Sequence, residues 1–202
     1  MIRTPQMLLI GSAGRNSGKT VLACELIARF GSRTRLVGAK VTTIHQREGG
    51  CPRGGEGCGV CSSFEGSYCL SEETEEDGAK DTQRLLASGA ERVYWLRVLY
   101  GELEAGARAL LDAVGPQSMV ICESNSLRTV IEPGVFFMAR RLGESDVKES
   151  AANVMAHADR IVWSDGASFD LDQDTIQIDR SAWVLSSTAP DALTGRTGAC
   201  TL

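Results

Sequence analysis

A short apolar run, Gln6–Gly11 (QMLLIG), passes straight into the glycine-rich stretch SAGRNSGKT of residues 12–20. That stretch passes straight into a segment with apolar side chains at Val21, Leu22, Leu26, Ile27 and Phe30. An apolar run that breaks into glycine reads as a buried strand, and the spacing after it reads as one face of a helix over residues 18–30. A strand feeding a helix through so short a loop is half of a crossover unit, and crossovers join parallel strands. The rest of the chain repeats the theme. Strand-like runs fall at 35–41, 91–98, 118–123, 134–140 and 159–164, and helical spacing at 80–88, 102–114 and 146–158. Two short strand-like runs, 175–178 and 182–186, close it. The alternation predicts an α/β fold, a mainly parallel sheet with helices on both faces. At 202 residues the chain fits a single domain over 1–202.

The glycine-rich loop carries the chemistry. Residues 13–20 match G-x-x-x-x-G-K-[ST] with Ala13 in place of the leading glycine. Gly14 and Gly18 let the backbone close around an anion, and the helix start adds positive potential. Lys19 is placed to bridge β- and γ-phosphates, and the Thr20 hydroxyl to ligate Mg²⁺. Arg15, Asn16, Ser17 and Val21 complete the predicted nucleotide contacts. A glycine-serine loop that merely caps a helix is the plainer alternative; the strand before and the helix after favour a phosphate-binding P-loop. Such a loop needs a carboxylate at the end of another strand. Glu123, directly after MVIC, supplies one for Mg²⁺ or for the attacking water. Asp81 is its rival, or else a plain partner of a helix start.

Between the second strand and the 80–88 helix lies CPRGGEGCGVCSSFEGSYC, residues 51–69. It has too few aliphatic side chains to order itself by burial. Cys51, Cys58, Cys61 and Cys69 supply four thiolates, two of them in a C-x-x-C, enough for a tetrahedral Zn²⁺ or a [4Fe–4S] cluster. The reading is a metal-binding insert over 45–75. The acidic run Glu72–Asp77 reads as a solvated linker. Cys24, Cys122 and Cys200 read as structural or incidental, and Trp95, Trp163 and Trp183 as core residues. Lys148 and Glu149 read as a surface helix with Glu144 as a partner, and the tail from Thr188 as loosely held. Net charge is −5, so there is no basic field to attract nucleic acid or anionic lipid. No apolar run is long enough for a signal peptide or membrane span, and a cytoplasmic location is expected, where clustered cysteines serve metals rather than disulfides.

GRNSGKT, then GAKVTTIH, then GAKDTQRLLASGAERV, then a strand ending in glutamate resemble the molybdopterin-guanine dinucleotide biosynthesis protein B family of P-loop NTPases, in patches over residues 6–165. Lys40 and His45 correspond to that family's lysine and second histidine, with Val41 where the first histidine stands. Lys80, Asp81 and Thr82 correspond to its Lys-Asp-Ser/Thr, with Ala79 inserted after Gly78. Glu123-Ser124-Asn125 stands for its Glu-Gly. The resemblance implies a small nucleotide-binding adaptor with slow hydrolysis, commonly homodimeric and commonly using GTP. No Asn-Lys-x-Asp or Thr-Lys-x-Asp sequence selects the base, so GTP and ATP both stay open; Ser164-Asp165 ends a strand where base contacts often lie. Two functions follow: an NTPase serving a metallocofactor-assembly protein, or a nucleotide sensor with a structural metal. A small-molecule kinase is a third, without an arginine-rich lid to support it.

Overall fold

The computed structural model describes residues 1–45 and 66–186. Seven strands form one sheet: β1 (Ile2–Ser12), β2 (Leu36–Ile44), β3 (Tyr68–Glu73), β4 (Arg92–Leu99), β5 (Met119–Glu123), β6 (Ile131–Arg141) and β7 (Arg160–Ser164). Their order is β3-β4-β2-β5-β1-β6-β7. Every pairing is parallel except that of β3 with β4. Helices α1 (Lys19–Phe30), α2 (Asp81–Ala87), α3 (Leu103–Val114) and α4 (Glu149–Met155) cover it.

Strand periodicity divides the core in two. Leu8, Ile10 and Ile121 pack with Leu22, Leu26 and Ile27 of α1 and Leu85 of α2. Met7, Leu9 and Cys122 face the other way, towards Leu103 and Leu110 of α3 and Val154 of α4. Strands buried on both faces read as unbroken apolar runs, as they do here. The remaining part of the α1 face is closed by a hairpin, β8 (Ile176–Asp179) and β9 (Ala182–Leu185). Its turn places Arg180 and Ser181 at positive φ, and its Trp183 packs edge-on to Phe30 with centroids 5.0 Å apart.

Three expectations change. The acidic run is exposed except at Glu73, as expected, but it is not a bare linker: Glu72 lies in β3 and holds Arg92 at 2.9 and 3.0 Å, while Glu73 and Glu75 accept from Thr82 and Gln83 of α2 at 2.6 and 2.7 Å. The segment 45–75 accordingly contains a sheet strand over Tyr68–Glu73. Of the tryptophans only Trp183 is fully buried; Trp95 and Trp163 are half-buried under Arg97 and Arg140. Strand β1 also starts earlier than the expected Gln6, at Ile2. Residues 2–4 pair with β6 alone, so Pro5 sits outside the β5 pairing and its missing N–H costs little there. The tail from Thr188 and Cys200 lies outside the described residues. No helix among the described residues is long and apolar enough to cross a membrane.

Candidate functional site

Parallel pairing brings chemistry to the carboxyl ends of the central strands. In register, Ile10 of β1 faces Glu123 of β5, and Glu123 faces Lys40 of β2. Ile121 belongs to the α1 face and Cys122 to the other, so alternation returns Glu123 to the α1 side, where Lys19 opens the helix.

The loop before α1 is held from inside. Gly14 N–H donates to Ser17 Oγ at 3.1 Å, and that hydroxyl donates to Gly14 O at 3.0 Å. Asn16 and Gly18 sit in left-handed conformations, φ 57 and 80°. At Gly18 a Cβ would also meet Phe169 at 2.9 Å, so glycine is required twice over. Two residues outside the motif brace the loop. Asn125 pairs with the backbone of Ser12, accepting from its N–H at 2.7 Å and donating to its carbonyl at 3.0 Å. Lys148, at the start of α4, donates from Nζ to Gly14 O at 2.7 Å, so it serves the loop rather than a bare helix surface.

Two ion pairs stand beneath and beside this loop. Lys19 Nζ lies 3.3 Å from Glu123 Oε2. Glu123 is fully buried, and neither of its carboxylate oxygens accepts a hydrogen bond among the described residues. Lys40 binds Asp81 in a tight hydrogen-bonded pair. Burial is the largest single influence on Asp81 and would raise its pKa. The Lys40 hydrogen bond and charge, the Lys19 charge and the Thr20 hydroxyl together outweigh it and hold the carboxyl below its ordinary value.

A cavity of about 560 Å³ opens over the loop. All eight predicted nucleotide contacts from Gly14 to Val21 line it, together with Asp81. Arg141, Lys148 and Phe169 complete it from elements the sequence reading did not connect to the loop. Glu123 lies below Lys19 rather than in the wall. His45 directly follows β2 and stacks on Tyr100 at 4.7 Å. Ser164 lines the cavity, whereas Asp165 turns inward on its own loop, accepting from Ala167 N–H, Ser168 N–H and the Ser168 hydroxyl.

Of the four clustered cysteines, Cys51, Cys58 and Cys61 lie outside the described residues. Cys69 sits on β3, where its Sγ accepts from Arg97 at 3.1 Å. Cys122 is buried in β5 and its thiol is driven far up by desolvation, as a structural cysteine would be. Cys24 is half-buried on α1.

No family model, no curated protein and no solved structure matches the chain.

Proposed function

We propose that this chain is a P-loop protein that binds GTP or ATP, hydrolyses it slowly, and carries a four-cysteine metal site in the service of metallocofactor assembly. The observation that carries the nucleotide reading is Glu123. A fully buried carboxylate without a hydrogen bond is costly. It is tolerable here because a lysine stands 3.3 Å away and because the position suits a ligand that arrives with its own donors.

In this reading the backbone of residues 14–19 wraps the β-phosphate, and Lys19 moves from Glu123 towards the β/γ oxygens. Glu123, relieved of Lys19, would accept a hydrogen bond from water, orienting the attacking water or helping to hold Mg²⁺. Thr20 would hold Mg²⁺, with Asp81 beside it; the orphaned Glu123 oxygens and the Thr20–Asp81 contact fit such an ion. Bound Mg²⁺ would neutralise charge on the β- and γ-phosphates. Lys40 keeps Asp81 ionised for that task. With the Asp165 carboxylate occupied by its own loop, base selection falls to other groups around Ser164 and Phe169.

Steady-state phosphate release tests the proposal. The expected result is slow turnover, at least tenfold slower in Glu123→Gln, with nucleotide affinity kept. Nucleotide bound without any phosphate release would leave a sensor module instead. For the insert, protein purified without oxygen should contain about one metal centre per chain, lost in Cys58→Ser or Cys61→Ser; visible absorption bleached by dithionite would select iron–sulfur over zinc. Protein with neither metal, and with all four thiols freely reactive, would defeat that part.

A further inference from the structure

A second cavity, of about 600 Å³, opens on the other side of the loop. It shares Ser12, Arg15, Lys19 and Lys148 with the first, so the two meet along the glycine-rich loop. Its far wall comes from the ends of β2 and β5 and the start of α4: Thr43, His45, Ser124, Ser126 and Ser150. Nothing in the nucleotide reading uses this wall.

Its chemistry is one-sided. The chain has 26 acidic residues against 21 lysines and arginines, yet among the described residues no aspartate or glutamate lines this chamber. Three cationic side chains do, with several hydroxyls. One of those hydroxyls is conspicuous: Thr43 Oγ1 is buried and has no hydrogen-bond partner among the described residues. Another is prepositioned, since Asn125 Nδ2 donates to Ser150 Oγ at 3.2 Å while its oxygen holds the loop. Hydroxyl donors converging with lysine and arginine suit a tetrahedral oxyanion, which takes several charge-assisted hydrogen bonds at once. The volume is that of a small-molecule site, typically ~300–1,000 Å³.

We propose that this chamber binds a small phosphorylated second substrate, held next to the terminal-phosphate end of the nucleotide. The inference rests on the P-loop reading for the identity of its neighbour, but not for the anion site itself. The direct test saturates the protein with a non-hydrolysable triphosphate analogue and Mg²⁺, then titrates inorganic phosphate, followed by ³¹P resonance broadening and calorimetry. One further phosphate should bind per chain. Ser126→Asp should weaken it at least tenfold by charge repulsion. Thr43→Val, nearly isosteric, should weaken it roughly threefold without lowering the melting temperature. Both variants should keep the parent's affinity for the triphosphate analogue. Phosphate binding that vanishes on loading the analogue, or that survives Ser126→Asp unchanged, overturns the second site. Should the chain bind no nucleotide, a phosphate equivalent removed by Ser126→Asp would sustain this site while the nucleotide reading falls.

Discussion

The two lysine–carboxylate pairs at the sheet's carboxyl edge differ in kind. Lys40–Asp81 is partly exposed and hydrogen-bonded, with side chains 20% and 35% accessible. Lys19–Glu123 joins a lysine that is 25% accessible to a carboxylate that is 0% accessible, with no hydrogen bond to either oxygen among the described residues. The first pair is complete as it stands. In the second, the carboxylate has a lysine's charge 3.3 Å away and no hydrogen bond among the described residues. A complete pair fixes local geometry; an incomplete one is ready to exchange its partner for a ligand. Strand register sets this contrast, since Lys40 and Glu123 are neighbours in the sheet yet each turns to a different helix start.

Breaking the incomplete pair should have the largest effect. Lys19→Ala should weaken nucleotide binding by ~2–4 kcal/mol, roughly 30- to 1,000-fold, by equilibrium titration. It should also lower the melting temperature, because Glu123 is left as a buried charge without its cation. Adding Glu123→Gln to Lys19→Ala should recover much of that stability but none of the affinity. Next comes Glu123→Gln alone, where single-turnover phosphate release should fall at least tenfold with binding kept. Full turnover in that variant would move the carboxylate role to Asp81.

The complete pair should give a smaller, pH-dependent effect. Asp81 has a depressed folded-state pKa. The stability it contributes is therefore present above the ordinary carboxylate value, ~3.9, and is lost as pH falls through the lower folded value. Lys40→Ala should raise the Asp81 pKa and move that loss to higher pH, with ~0.5–1 kcal/mol lost at neutral pH given the pair's partial exposure. An unchanged acid-unfolding midpoint would count against the pairing. Smallest of all, Arg92→Ala removes an exposed bidentate contact to Glu72 and should cost ~0.2–1 kcal/mol in chemical denaturation. A larger loss would mean that β3 matters more to the sheet than its edge position suggests.

The strand–loop–helix start was legible because each piece carries a local signal: apolar run, glycines, then helical spacing. Glu123 was legible as the carboxylate after MVIC, and Asp81 as a rival at a helix start. The structure brings both to Lys19 and the loop. What braces the loop was not legible. Lys148 reaches Gly14 from 134 residues away, and Asn125 reaches Ser12 from 113. Nothing local marks a lysine at the head of α4 as a loop partner; the crossover from β6 puts it there. Strand β3 was hidden by composition, because its glutamates suit solvent; its place comes from its ladder with β4, from Leu70 against the core, and from the contacts to Arg92 and α2. The closing hairpin lacked the usual glycine signal, its turn being made by Arg180 and Ser181.

The most direct measurement is equilibrium titration of the purified full chain with fluorescent GTP and ATP analogues, with and without Mg²⁺. The expected result is saturable binding near one nucleotide per chain, strengthened by Mg²⁺ and lost in Lys19→Ala. A chain that binds neither triphosphate saturably, or binds one equally well without Lys19, would contradict the P-loop reading of residues 13–20.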